Sequence, residues 1–489
     1  MTRKNLGRDR QFCLRLSSKY LLVAENEDGY ISTSTVCRDW EPHLYTRNAY
    51  PVCHPWFPAA YSLTVGTFIL VAGRLGDLYG HRLMFISGFL WYALWSLLAG
   101  FSVHVGTNRV IFFDCCRALQ GIGPAFALPN AIAILGRVYP PGLKKQLIFS
   151  AFGATAPSGF LVGAVFSSLL AEKVWWPWAY WITAIVCLLT GIAAFFVVPH
   201  TPPPELDDSE TTWARTDALG AITGISGLVL FNFAWNQAPV VGWQDPYIYI
   251  LLIVGILFCV AFGFVESRVS KFPLVPLEVM TTDTLFVLAC VGLGWAGFGI
   301  WVYYFWQFLE ELRGLTPPIS SAEFVPTAIS GFCAAVSTGI LMSHVKGSVV
   351  MIIALVAFTV GLILVATAPV DQTYWAQTFV SLIVMPWGMD MSFPAANLLL
   401  SNKMPKEHQG VSASLVNTVI NYSISLALGI AGTVQGHVDD DGTNTLKGYR
   451  GAWYLAIGLA GFGAILAGIY GLKEAREKKM ATPAKDEKN

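Results

Sequence analysis

The chain alternates between long stretches with hardly a charged residue and short polar stretches that turn it back. Thirteen apolar runs stand out: Phe57–Gly73, Leu83–Phe101, Val110–Gly136, Leu147–Ala171, Trp178–Pro199, Ala218–Ala234, Tyr247–Val265, Leu285–Phe308, Phe324–Met342, Val349–Ala366, Tyr374–Leu400, Val411–Val434 and Trp453–Leu472. A helix rising about 1.5 Å per residue needs roughly 20 residues to cross ~30 Å of hydrocarbon, which is the length of these runs. They are unbroken and lack strict alternation, so they predict helices and not barrel strands. The pattern predicts an all-α polytopic membrane protein with about 13 transmembrane helices.

Composition agrees. Hydrophobic residues make up 54% of the 489 and charged residues 13%, where a soluble domain carries about 25% charged. The net charge of zero gives no reason to expect a nucleic-acid partner. The nine cysteines are scattered, with Cys115 and Cys116 adjacent, and no Cys-x-x-Cys occurs, so neither a zinc site nor a disulfide framework is indicated.

From Trp56 onward, placing the polar stretch Arg74–Arg82 in the cytoplasm and alternating sides puts 17 Lys and Arg inside and five outside, as the positive-inside rule requires, while the eight basic residues before Trp56 would fall outside, which the rule disfavours. The tail after Leu472 is then cytoplasmic and Asp439 to Asp441 lie outside. A tag placed after Asn489 should report from the cytoplasm and one near Asp440 from the far side. The opposite labelling would overturn the helix order.

Three motifs occupy this frame. The first runs from Gly73 through Arg74, Leu75, Gly76, Asp77, Gly80, His81 and Arg82. The second is Arg117 with Gln120, Gly121 and Gly123. The third is Gly153, Ala156, Pro157, Gly159 and Gly163 within one run. They resemble, in order, the signature loop between the second and third helices of the major facilitator superfamily, its fourth-helix arginine motif and its fifth-helix antiporter motif. Ala156 stands where glycine is usual in the last. The resemblance covers Trp56 to Leu472 and points to the fourteen-span drug:proton antiporter branch, near the fungal aminotriazole-resistance proteins. The stretches Phe233–Trp243 and Trp387–Ala395 carry that subgroup likeness.

The branch implies two pseudo-symmetric helix bundles flanking an inserted pair. On that template residues 56–199 form the first bundle, 200–217 a proline-rich cytoplasmic linker, 218–267 the inserted pair, 283–472 the second bundle and 473–489 a cytoplasmic tail. The first bundle is one helix short. Residues 1–55 hold eight Lys and Arg and no apolar run beyond Tyr20–Ala24, so they supply neither a spanning helix nor a signal peptide. They read as a disordered segment outside the family, and two origins stay open: intron sequence translated in place of a first exon, or a genuine truncated start.

The resemblance implies that Gly73, Asp77, Gly80 and Arg82 form a latch holding one transport state, with Asp77 capping a neighbouring helix or pairing with a basic side chain. Arg117 lies about 10 Å below the outer end of its run, where an unpartnered guanidinium is costly, so it should face the bundle interior. With Gln120 it is a coupling candidate. Pro157 cannot donate to the carbonyl of Gly153, so a bend is expected. Gly159 and Gly163 offer a bare face for close approach, and the motif implies antiport.

Asp390 lies about 15 Å from the inner end at Leu400. An ionisable residue at that depth is a functional-site candidate. Loss of water penalises its charged form, as a proton carrier needs. The alternative is a structural carboxylate bonded where Pro394 frees backbone carbonyls. Asn236, Asn417 and Asn421 could face the cavity, or be interhelical glue worth about 0.6 kcal/mol. Trp175, Trp176, Trp178 and Trp181 read as an interfacial belt.

The leading function is secondary active transport: proton-coupled efflux of drugs, toxins or secondary metabolites across the plasma membrane, or a vacuolar one. No cofactor is expected beyond an ion gradient. The expected partners are a small-molecule substrate, protons and the lipid bilayer, with the chain acting as a monomer. No Gly-Lys pair exists, which excludes a phosphate-cradling loop and an ATP-driven pump. No nucleophile–base pair or metal-ligand cluster stands out, so an enzyme is not expected. The alternatives are borate or ammonium transport on the same fold, and a truncated protein that does not transport.

Overall fold

The computed structural model describes residues 56–106, 108–138, 143–199, 214–403, 409–439 and 443–481. Every apolar run forms a helix: α1 (Trp56–Tyr79), α2 (His81–Phe101), α3 (Arg109–Val138), α4 (Leu143–Lys173), α5 (Pro177–Val197), α6 (Ala218–Val241), α7 (Pro246–Phe264), α8 (Thr282–Gln307), α9 (Val325–His344), α10 (Gly347–Thr367), α11 (Gln377–Lys403), α12 (Gln409–Val438) and α13 (Thr445–Ala481). A short helix, Pro317–Glu323, leads into α9. Twelve helices among the described residues are long and apolar enough to cross a membrane. The thirteenth run is α4, of 31 residues. Among the described residues the fold is all-α. The readings made for residues 1–55 and 200–213 lie outside the described residues.

Helix ends follow local chemistry. The motif loop at Arg74–Arg82 shrinks to one residue: α1 runs on to Tyr79, and Gly80 alone breaks it, at φ 101°. That left-handed geometry suits glycine and little else. Thr281 caps α8 by accepting from the backbone N–H of Thr284 at 3.2 Å. α6 continues past Ala234, through Asn236 and Pro239, to Val241, so Asn236 sits inside a helix and not at its end.

Packing sorts the helices into groups. α1, α2, α3 and α5 pack on one another; α8 to α13 form a second group; α6 and α7 pair. α8 is the axis of the second group, buried at every residue from Gly294 to Glu310, as expected of a helix apolar all round. α7 buries only Ile248 and Gly255, leaving its surface for lipid.

Two seams join the groups. α1 lies along α12 for its whole length. Ser425 Oγ donates to the carbonyl of Ala59 near one end at 2.8 Å, and a Cβ on Gly73 would sit 3.3 Å from Ser414 Oγ near the other. Between them a Cβ on Gly66 would lie 2.9 Å from the backbone nitrogen of Tyr422, so the helices touch through glycine. At the second seam, Ser321 Oγ donates to the carbonyl of Ala164 and to Ser168 Oγ, tying α4 to the helix that precedes α9.

Candidate functional site

In the first bundle Arg117 is buried, at 1% exposure, and not at a lipid rim. Its guanidinium lies over the ring of Tyr61 on α1, 4.6 Å from the centroid, and Nη1 donates to Gln120 Oε1 one turn on. Gln120 Nε2 donates to Ser96 Oγ on α2 at 2.6 Å, and that hydroxyl donates to the Tyr92 carbonyl. One cation thus organises α1, α2 and α3 through a ring face and a chain of hydrogen bonds.

At the inner end Asp77 Oδ1 is 3.3 Å from Arg137 Nη2, on the last turn of α3, and 3.4 Å from His81 Nε2. Arg82 does not join it. Its Nη2 donates to the carbonyl of Phe195 at the end of α5, and the guanidinium covers that ring at 5.2 Å. A cation at a helix C-terminus satisfies orphan carbonyls, which explains the turn away from Asp77. The small residue of the motif has a steric reason: a Cβ on Gly76 would fall 1.8 Å from Asn130 Oδ1. Asn130 spends its Nδ2 on the carbonyls of Phe126 and Ala72, which leaves Oδ1 to accept from His81 Nδ1 at 2.7 Å. His81 lies in the signature motif without a role assigned to it, and Asn130 lies in none of the motifs. Their burial, 3% and 0% exposed, is what distinguishes them.

Asp390 stands in the middle of α11, thirteen residues from either end. Pro394 lies one turn on and has no N–H to give, so the Asp390 carbonyl lacks its helical donor. Thr338 Oγ1 on α9 reaches that carbonyl at 3.4 Å. That hydroxyl donates to the Ala334 carbonyl of its own helix at 2.7 Å, so the Asp390 carbonyl is met only weakly, and the Asp390 carboxyl is left over. Its Oδ2 is buried with no hydrogen-bond partner among the described residues.

The three asparagines behave differently. Asn417 and Asn421 on α12 are buried, and each spends Nδ2 on the carbonyl four residues earlier, at 3.1 and 3.2 Å. Their Oδ1 atoms are buried and unpartnered among the described residues, so neither forms the interhelical bond that glue requires. Asn236 does. Its Nδ2 lies 3.1 Å from the Ser425 carbonyl and 2.7 Å from Asn232 Oδ1, which accepts from Ser425 Oγ. Because Ser425 also bonds Ala59, this junction pins α6, α12 and α1 together, while Asn236 Oδ1, like those of Asn417 and Asn421, is buried without a hydrogen-bond partner among the described residues.

Of the antiporter-like residues, Gly159 and Gly163 are half-buried in α4. Gly153 and Pro157 lie in the same helix, and their side-chain surroundings fall outside the described residues. The tryptophan belt needs one correction. Trp175 and Trp178 are exposed, but Trp176 is 1% exposed and stacks edge-on against Phe113 and Tyr180 in the core. Tyr180 is one turn away, but Phe113 comes from α3, and run-by-run reading does not bring it to Trp176.

The family model described as Major Facilitator Superfamily matches residues 55–430. A low affinity ammonium transporter of Saccharomyces cerevisiae is 64% identical over 416 residues, 85% of this chain and 80% of the relative. Efflux pump terJ of Aspergillus terreus is 56% identical over 86% of this chain and 81% of the relative. Among solved structures, the POT family transporter PepTSo shares the fold at a TM-score of 0.65 and 14% identity, covering 96% of each chain. The chain belongs to the major facilitator superfamily. It is a multi-pass membrane transporter and not an enzyme.

Proposed function

We propose that this transporter exports small molecules in exchange for protons, with Asp390 carrying the proton in the second bundle. The observation that carries the reading is the carboxyl oxygen of Asp390, buried at mid-helix with no partner among the described residues. A buried acid left unsatisfied is costly unless it holds a proton or meets a cation. Arg117 is the fixed cation of the first bundle, and Asn417 and Asn421 offer carbonyl oxygens at the seam between bundles. The monomer needs no cofactor beyond the gradient, and the plasma membrane is the natural site of export. Efflux pump terJ and an Aspergillus fumigatus relative called a multidrug transporter, 41% identical, support the direction of transport.

A second reading, ammonium transport, is favoured by the 64% identical yeast relative and by the same unfilled acceptors, which suit an N–H cation. One experiment separates them. The chain is expressed in a host stripped of its own exporters, and drugs, fungal metabolites, borate and ammonium are assayed under imposed pH gradients. Gradient-driven export of organic compounds supports the first reading and saturable ammonium movement alone supports the second. No transport of any compound would leave a membrane protein that does not transport.

The latch reading of the inner end has its own check. Asp77 is 58% exposed on its side chain, so its ion pairs add little to folding. Asp77→Asn should therefore insert normally while transport falls about tenfold, through loss of a contact specific to one conformation. Near-normal efflux in that variant would sink the latch.

A further inference from the structure

A second pair of acids lies at the inner end of the inserted helices, where none of the family motifs reaches. Asp217 immediately precedes α6 and adopts a left-handed conformation, φ 47° and ψ 53°, a strained geometry for a residue with a Cβ. The strain sets its carboxylate over the start of α6, where Oδ1 accepts from the Gly220 N–H at 3.2 Å. Glu266 follows α7 in a single π turn, Val265–Val269, a local irregularity often kept for function. Asp217 and Glu266 are 7% and 6% exposed.

Both carboxyls grip the same stretch of the connector, residues 270–281, that leads from α7 to α8. Leu274 N–H donates to Asp217 Oδ2 at 3.2 Å and Val275 N–H to Glu266 Oε2 at 3.1 Å. They also close over one glycine: a Cβ on Gly220 would lie 2.3 Å from Asp217 Oδ2 and 2.8 Å from Glu266 Oε1. Glu266 Oε1 faces this spot buried and without a hydrogen-bond partner among the described residues. Two carboxylates so placed cannot both keep a full charge at low cost, and one shared proton relieves them.

The grip reaches the signature end of α1. Arg74 Nε donates to the Arg215 carbonyl at 3.0 Å, and the Arg215 guanidinium lies over the ring of Phe272 in the connector at 5.5 Å. A cavity of about 550 Å³ opens beside it, and the connector then enters α8, the axis of the second bundle. The other charged or titratable groups around the cavity are Asp77 from α1, His81 from α2, and Lys271 and Glu278 from the connector.

We propose that the Asp217–Glu266 pair binds one exchangeable proton and that this proton holds a clasp shut across the inner ends of α1, α6 and α7 and the connector to α8. The closed clasp binds one more proton than the open one, so opening is favoured as pH rises. A proton bound from the inside would then stiffen the link between the signature helix and the second bundle, whatever substrate the protein carries.

Amide hydrogen exchange of the full chain in lipid nanodiscs tests this, because the N–H groups of Leu274 and Val275 are the ones gripped. Hydroxide catalysis alone raises exchange about tenfold per pH unit, and a clasp that opens by losing one proton adds another factor of about ten. The wild-type peptide carrying these amides should therefore gain about a hundredfold per pH unit over the range where the pair ionises. In Glu266→Gln the amide reproduces the protonated acid, so protection should persist and the slope should fall to the hydroxide value. A wild-type slope no steeper than hydroxide catalysis overturns the proposal, and so does a Glu266→Gln slope equal to wild type. Should Glu266→Gln fail to insert, the wild-type slope decides alone. Neither readout depends on transport, so failure here is separate from failure of the efflux reading.

Discussion

Replacing Asp390 with asparagine is expected to abolish efflux driven by a pH gradient, a fall of about a hundredfold or more if the carboxyl is the group that takes up and releases the proton. The amide has the shape and hydrogen-bonding capacity of the protonated acid but cannot ionise. Substrate that binds the protonated form should still bind, and purified Asp390→Asn should still gain thermal stability on adding it. Folding should suffer little, because the present contacts of Asp390 run through its backbone carbonyl to Thr338 and the carboxyl Oδ2 makes none among the described residues. The measurement is substrate movement in everted vesicles with an imposed gradient, beside substrate-induced stabilisation. Full gradient-driven efflux in the variant would return Asp390 to a structural role.

The helices were legible because each needs only its own run of apolar residues, and lipid leaves the backbone no other way to satisfy its hydrogen bonds. The reversal after the first run was legible as the polar stretch Arg74–Arg82, but its narrowing to Gly80 alone was not. Which side chains meet was far less so. The resemblance groups Arg82 with Asp77 in one latch and leaves the basic partner of the acid unnamed; the acid meets Arg137, from the far end of another helix, and Arg82 meets the end of α5. Helix rotation sets such partners, and a membrane helix apolar on most faces carries little periodic signal of its rotation. Asp390 and Arg117 stood out for a different reason: a charge within a long apolar run is visible without knowing its neighbours. Asp217 and Glu266 escaped notice because they sit at run ends, where acids are ordinary. Only burial against one connector sets them apart.

The same visibility makes Arg117 the sharper test of the first bundle. Arg117→Lys keeps the positive charge, so an effect cannot be assigned to an emptied charge site. What it removes is the planar fork that reaches Gln120 while lying flat on Tyr61. The ammonium is more strongly hydrated and finds fewer fixed partners in a pocket that admits 1% exposure. Gln120 would lose the donor that orients it toward Ser96, loosening the chain between α3 and α2. Gradient-driven efflux in Arg117→Lys should fall about ten- to a hundredfold, the scale of losing one strong charge-assisted contact of roughly 1.5–3 kcal/mol. Two measurements separate coupling from mere packing. If Arg117 couples, downhill leak of substrate with no pH gradient should stay near wild type while gradient-driven efflux drops. Equal loss of both, together with a lowered melting temperature, would make Arg117 a packing residue and move the coupling of the first bundle elsewhere.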